Sequence, residues 1–197
     1  MILRGALRGL SWPVLMAVVL PLAGCGSAEA DPLPQAGTAQ GVGLPGSLGN
    51  PRVLNCQNRN GDVPEEKTRV LITGPDDLVA GPLVVPGLLA WGRARSQEYG
   101  ANHRFKVGTV VRKGGTVTLS IPAEFHDSAG LLYSEPSRTA RTPAEADHAV
   151  TFTACAEHDT VFVGGFYVLE PRCVVLEIRP QGQAAIRREI SFFDGDC

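Results

Sequence analysis

The chain has 197 residues, 44% of them apolar and 19% charged, with 18 Lys and Arg against 20 Asp and Glu, which is the composition of one globular domain carrying some unstructured sequence. That balance excludes a disordered acidic or basic tail protein and a multi-span membrane protein. A net charge of -2 also argues against a nucleic-acid partner, because phosphate binding needs a concentrated positive field.

Residues 1–24 start with Arg4 and Arg8, continue as an apolar run from Leu10 to Leu22, and end in the small residues Ala23 and Gly24. This order of charged, apolar and small regions predicts an export signal, and the apolar run is shorter than the ~20 residues needed to span a bilayer. The tetrad Leu22-Ala23-Gly24-Cys25 closely resembles the lipobox of bacterial lipoproteins. The resemblance implies cleavage before Cys25, lipid attachment to its sulfur, and an extracytoplasmic chain held on the outer face of the cell membrane. Two or more acyl chains give a stable hold where one is marginal. Five cysteines are an odd number for an exported chain, and giving Cys25 to lipid leaves four that can pair. Cleavage removes two arginines and no acid, so the mature net charge becomes -4; that does not favour adhesion to anionic lipid beyond the acyl anchor.

Residues 25–51 hold repeated Gly and Pro, no aromatic residue and no Lys or Arg. Such a segment buries too little apolar surface to offset its ordering entropy, so a flexible tether is expected there. Residues 52–197 form the expected domain. Within it apolar residues alternate: Val70 and Ile72; Phe105, Val107 and Val111; Val117, Leu119 and Ile121; Val150, Phe152 and Ala154; Val174, Leu176 and Ile178; Ile186, Ile190 and Phe192. A period of two is that of half-buried strands. The stretches 79–91 and 161–169 are more continuously apolar, as in central or bending strands.

Turn residues separate these runs. Lys113-Gly114-Gly115-Thr116 and Arg179-Pro180-Gln181-Gly182 each predict a tight hairpin turn. Gly164-Gly165 predicts a bulge or a close backbone approach. Helical signal is confined to Leu88–Tyr99 and to Pro143–His148, the latter capped by Thr142. Eight or nine short strands with little helix predict an all-β fold, an antiparallel β-sandwich of immunoglobulin-like general architecture, with a partly open barrel as the alternative.

Cys56, Cys155, Cys173 and Cys197 are expected to form two disulfides, for which three pairings exist. Strand parity places Cys155 with Thr151 and Thr153, and Cys173 with Glu177 and Arg179, on outward faces. This favours Cys155 with Cys173 and Cys56 with Cys197. No paired zinc knuckle and no Cys-x-x-Cys motif is present, so neither a cysteine metal site nor redox catalysis is expected.

The stretch from Val150 onward, with Thr-Phe-Thr-Ala-Cys, Val-Phe-Val-Gly-Gly-Phe and the terminal Phe-Phe-Asp-Gly-Asp-Cys, resembles small exported proteins of high-GC actinobacteria that carry no assigned activity. The 15 arginines against Lys67, Lys106 and Lys113 are compatible with such a genome. This resemblance implies an origin and no chemistry.

Three histidines sit beside aspartates, as His126-Asp127, Asp147-His148 and His158-Asp159, and His103 stands apart. Neighbours on a strand point to opposite faces, so these dipeptides read as polar loops rather than as metal or acid–base pairs. Asp76-Asp77 and Asp194-Gly195-Asp196 read as turn chemistry rather than calcium ligands. Pro45-Gly46-Ser47-Leu48-Gly49 lacks the first glycine of a nucleophile elbow, and Glu65 and Glu66 carry no spacing argument for glycosidase chemistry. Arg93, Arg95, Arg104, Lys106, Arg112 and Lys113 form the most basic region, suited to an acidic glycan or partner only if they share a face. Trp91 reads as core rather than as a sugar platform. The expectation is a lipid-anchored cell-envelope lipoprotein acting as a non-catalytic binding, assembly or structural module, with an envelope protein or glycan as partner and no cofactor or metal. The alternatives are an envelope hydrolase built from non-adjacent His, Asp and Arg, and a metal or small-ligand carrier.

Overall fold

The computed structural model describes residues 44–59 and 73–197. Cys25, the export signal, most of the expected tether, the strand expected around Val70 and Ile72, and Glu65 and Glu66 lie outside the described residues.

The fold is all-β. Thirteen strands are present among the described residues, in three sheets that do not close into a barrel. The five-stranded sheet runs β1 (Arg52–Leu54), β9 (Ala149–Thr153), β7 (Thr116–Ser120), β12 (Arg172–Pro180), β13 (Ile186–Phe192). A four-stranded sheet joins β10 (Thr160–Phe162), β6 (Thr109–Val111), β3 (Leu83–Val85) and β2 (Leu78–Ala80). Another joins β4 (Gly100–Ala101), β5 (Arg104–Lys106), β11 (Gly165–Val168) and β8 (Ala129–Leu131). Every pairing is antiparallel except β1 with β9, which is parallel in the register Leu54 with Phe152.

Strands outnumber the eight or nine expected because apolar runs are cut by backbone bends. The run 105–111 breaks at Val107 and Gly108 into β5 and β6, and 161–169 breaks before Gly165 into β10 and β11; each half joins a different sheet. A Cβ on Gly164 would stand 2.3 Å from Tyr133 Cδ1, and one on Gly165 would stand 1.9 Å from the Phe105 carbonyl oxygen, so both positions demand glycine for close approach. The run 79–91 folds as the β2–β3 hairpin followed by a 3-10 turn, Leu88–Arg93. Gly182, at φ 73°, closes the expected hairpin between β12 and β13. Arg112–Gly115 is also a tight turn, with Gly115 N–H donating to the Arg112 carbonyl at 2.9 Å, but it carries the chain from one sheet to another rather than closing a hairpin.

One apolar core draws on all three sheets, with Phe152, Phe162, Phe166, Phe192 and Trp91 fully enclosed. Trp91 stacks on Phe193 at 5.2 Å and 17° and meets Tyr99, Phe105, Phe166 and Phe192 between 4.7 and 6.3 Å, which settles it as core.

Residues 44–51, assigned above to the tether, pack on the domain. Gly46 is buried, its N–H donates to Asp147 Oδ1 at 2.7 Å, and its carbonyl accepts from the N–H groups of His148 and Ala149. A Cβ there would lie 2.5 Å from the Ala149 carbonyl oxygen. Composition could not show this, because backbone hydrogen bonds and one buried carboxylate hold the segment rather than apolar side chains.

The disulfides are Cys56–Cys155 and Cys173–Cys197, not the pairing favoured from strand parity. Parallel alignment of β1 with β9 brings Cys56 beside Cys155, with Cα atoms 4.9 Å apart. After β13 the chain reverses through Phe193 (φ 64°) and Gly195 (φ 75°), which returns Cys197 to within 5.7 Å of Cys173. Cys155 is itself buried, at 5% exposure, so its face is not the outward one that alternation suggested.

Candidate functional site

A cleft of about 540 Å³ lies between the β4–β5 turn and the β11–β12 connection. Gln97, Ser96, Asn102, His103 and Glu170 supply its polar groups, and Phe105, Val168, Pro171 and Phe193 supply apolar wall. That volume is within the range of small-molecule sites.

Backbone conformation singles this cleft out. Among the described residues, three non-glycine residues have positive φ: Asn102 (53°), His103 (64°) and Phe193 (64°), and all three line it. Asn102 and His103 form the two-residue loop between Ala101 and Arg104, which are cross-strand partners. A hairpin loop of that length wants positive φ at both positions, where Asn-Gly is the preferred pair; His in place of Gly carries a steric cost. The His103 carbonyl accepts from the Val168 N–H at 2.8 Å, and its ring lies over Tyr167 at 6.1 Å. Phe193 is held in its unfavourable conformation by its stack on Trp91. Strain kept in place by surrounding packing clusters at binding and catalytic sites.

His126 and His148 do not sit in separate solvated loops. They stack face to face, 3.6 Å apart and 6° from parallel. Each ring donates Nε2–H to a backbone carbonyl, His126 to Ile121 at 2.8 Å and His148 to Pro143 at 3.1 Å. Burial, followed by the His126 ring, holds the His148 pKa below the usual imidazole value against the opposing Pro143 carbonyl, Asp147 and the His126 backbone. No sequence signal linked these rings, which are 22 positions apart and joined only by the packing of the 121–126 and 143–148 turns. His158 contributes its carbonyl to the Thr160 hydroxyl in a loop.

Of the carboxylates next to histidines, Asp147 and Asp159 serve the framework. Asp147, 1% exposed, accepts from Gly46 N–H, Arg52 Nε at 3.4 Å and the Ser134 hydroxyl. Asp159 receives Arg112 Nη1 at 2.8 Å and the Lys113 N–H at 2.9 Å; burial raises its pKa, but these donors outweigh that and hold it low. Asp77 closes a turn by accepting from Gly74 and Gly87 N–H, and Asp76 pairs with Arg93 at the surface. Asp194 and Asp196 flank the left-handed Gly195, again a turn. No group of three His, Cys, Asp or Glu side chains that could hold a metal occurs among the described residues.

The basic residues do not share one face. Arg93, Arg95 and Arg112 engage Asp76, Glu98 and Asp159 respectively. Arg104 and Lys106, however, project from the same side of β5. Tyr133 is enclosed, its hydroxyl accepting from Thr109 Oγ1 at 2.7 Å and donating to the Val107 carbonyl at 3.3 Å; burial pushes its phenol pKa far upward, which makes it a framework group.

Comparison with known proteins finds no matching family model, no matching curated sequence and no matching solved structure.

Proposed function

We propose that this chain is an exported lipoprotein, anchored through Cys25 to the outer face of the cell membrane, that acts as a non-catalytic binding module of the cell envelope. The observation that carries the binding role is the gathering of Asn102, His103 and Phe193, three side-chain-bearing residues in left-handed backbone, around one cleft. An envelope protein or glycan is the partner class suited to its mixture of amide, hydroxyl, imidazole and aromatic groups. The address is supported by cysteine arithmetic: of five cysteines, four are consumed by the two disulfides, which leaves Cys25 without a cysteine partner in the chain. Two disulfides in a chain of this size fit an oxidising compartment.

Intact-mass spectrometry of membrane-extracted protein tests the anchor. The expected mass is that of residues 25–197 plus acyl groups minus four hydrogens, and Cys25→Ala should release the chain from the membrane. An unmodified cytosolic chain with free thiols would end the reading. The binding role is tested on an envelope-extract glycan and protein panel, with His103→Gly as the cleft variant; turnover of a hydrolase substrate abolished by His103→Ala would replace it with the enzymatic alternative.

A further inference from the structure

We propose that the groove between β5 and Gly164-Gly165 binds a small anionic amphiphile, a carboxylate or phosphate carried on an apolar body. The groove encloses about 390 Å³ and shares only Phe105 with the cleft at His103. Its charged lining is entirely cationic, consisting of Arg104, Lys106 and Arg138 with no Asp or Glu. The chain as a whole is net negative, so this excess belongs to the groove and not to a generally basic surface. Leu132 and Val163 add apolar wall beside the cations.

Strand geometry produces the arrangement. Arg104 and Lys106 occupy alternate positions of β5 and share its outward face, while Phe105 between them turns to the core. Lys106 lies directly across from Gly165, which has no side chain to cover or neutralise the ammonium. Among the described residues Lys106 forms no ion pair and no side-chain hydrogen bond. Arg104 is oriented by donating Nη1–H to the Ala140 carbonyl at 3.0 Å. Arg138 reaches Glu135 at 3.4 Å, but that carboxylate is 82% exposed, and a pair of this kind is weak enough for a ligand anion to displace.

A bare inorganic anion would leave the apolar wall wet, and a neutral hydrocarbon would leave three cations unanswered. A ligand with both parts satisfies the groove, with the guanidinium groups offering paired donors to a carboxylate or phosphate. This inference goes beyond the proposed envelope role and does not depend on lipidation of Cys25.

The test is isothermal titration of the full chain, in the presence of nanodiscs of zwitterionic lipid, with 4-butylbenzoate, its neutral amide 4-butylbenzamide, and acetate, the heat of nanodiscs alone being subtracted. The acid should bind at least about tenfold more tightly than the amide or acetate. The double variant Lys106→Gln/Arg138→Gln should weaken acid binding by about tenfold or more with its unfolding midpoint unchanged; Arg104 is left intact because it also ties down Ala140. Equal affinity of acid and amide, equal affinity of acid and acetate, or an unaffected double variant would each overturn the proposal. In a second arm, nanodiscs containing phosphatidylglycerol that compete with 4-butylbenzoate identify a lipid headgroup as the source of the anion, and absence of competition identifies a free molecule; either follows only from a groove that binds the acid.

Discussion

Replacing Asp147 with Ala removes the group that fastens residues 44–52 to the rest of the domain. Its two oxygens accept from the Gly46 N–H, the Arg52 guanidinium and the Ser134 hydroxyl, and the side chain is 1% exposed. The Arg52 side chain is 11% exposed, so it would be left as a nearly buried cation without its partner. Truncating one member of such a pair costs about 3–5 kcal/mol, more than the pair's own net worth, because the stranded charge and donors lose water without replacement. For a domain of this size that is a fall in Tm on the order of 10 °C. Asp147→Asn keeps one acceptor and should lose roughly half as much. Urea unfolding followed by tryptophan fluorescence reads both, since Trp91 reports the core; Asp147→Ala should lower the midpoint without changing the slope. Loss below about 1 kcal/mol would refute the claim that this carboxylate, and not apolar burial, anchors residues 44–51.

Three further outcomes are expected. His103→Gly relieves a residue held at φ 64° and should raise stability by about 0.5–1 kcal/mol after the entropy of glycine is subtracted, while abolishing recognition at the cleft; a destabilised variant would remove the strain argument. Peptide mapping under non-reducing conditions should recover Cys56–Cys155 and Cys173–Cys197, and removing the pair with sequence separation 99 should cost about 4–5 kcal/mol against roughly 3.5 for the pair with separation 24; the reverse order would contradict loop-closure entropy as the source. Because the folded His148 pKa lies below its ordinary value of 6.5, the unfolded chain binds more protons in mild acid. Stability is therefore full above that value and falls as the pH drops below it. Urea midpoints at neutral and mildly acidic pH should show this fall, with His148→Gln flattening it; an unchanged slope in the variant would place the effect elsewhere.

The alternation in Val117-Leu119-Ile121, Val150-Phe152-Ala154 and Val174-Leu176-Ile178 was legible in the sequence because strand side chains repeat every two residues whatever sheet they join. Glycine placement was legible too: Gly164-Gly165 marks a close approach, and Gly182 a turn. Partnership between distant strands was not. Nothing in the chain announces that β1 runs parallel to β9, and that single pairing decides which cysteine Cys56 reaches. Parity arguments for Cys155 failed because they describe one strand's faces without the sheet beyond it.

The cleft and the groove show the same division. Sequence gave His103, Arg104 and Lys106 as polar or basic residues without a site, since local spacing cannot report the left-handed turn at Asn102-His103 or the pairing of Lys106 with Gly165. Composition and short-range periodicity determined that the chain is all-β, because turn residues and a period of two recur along most of its length. The tertiary structure alone decided which cysteines meet, that Gly46 and Asp147 extend the domain backward to residue 44, and that His126 lies on His148. Each of those rests on contacts between residues far apart in the chain, whose geometry is set by the packing of all three sheets on a common core.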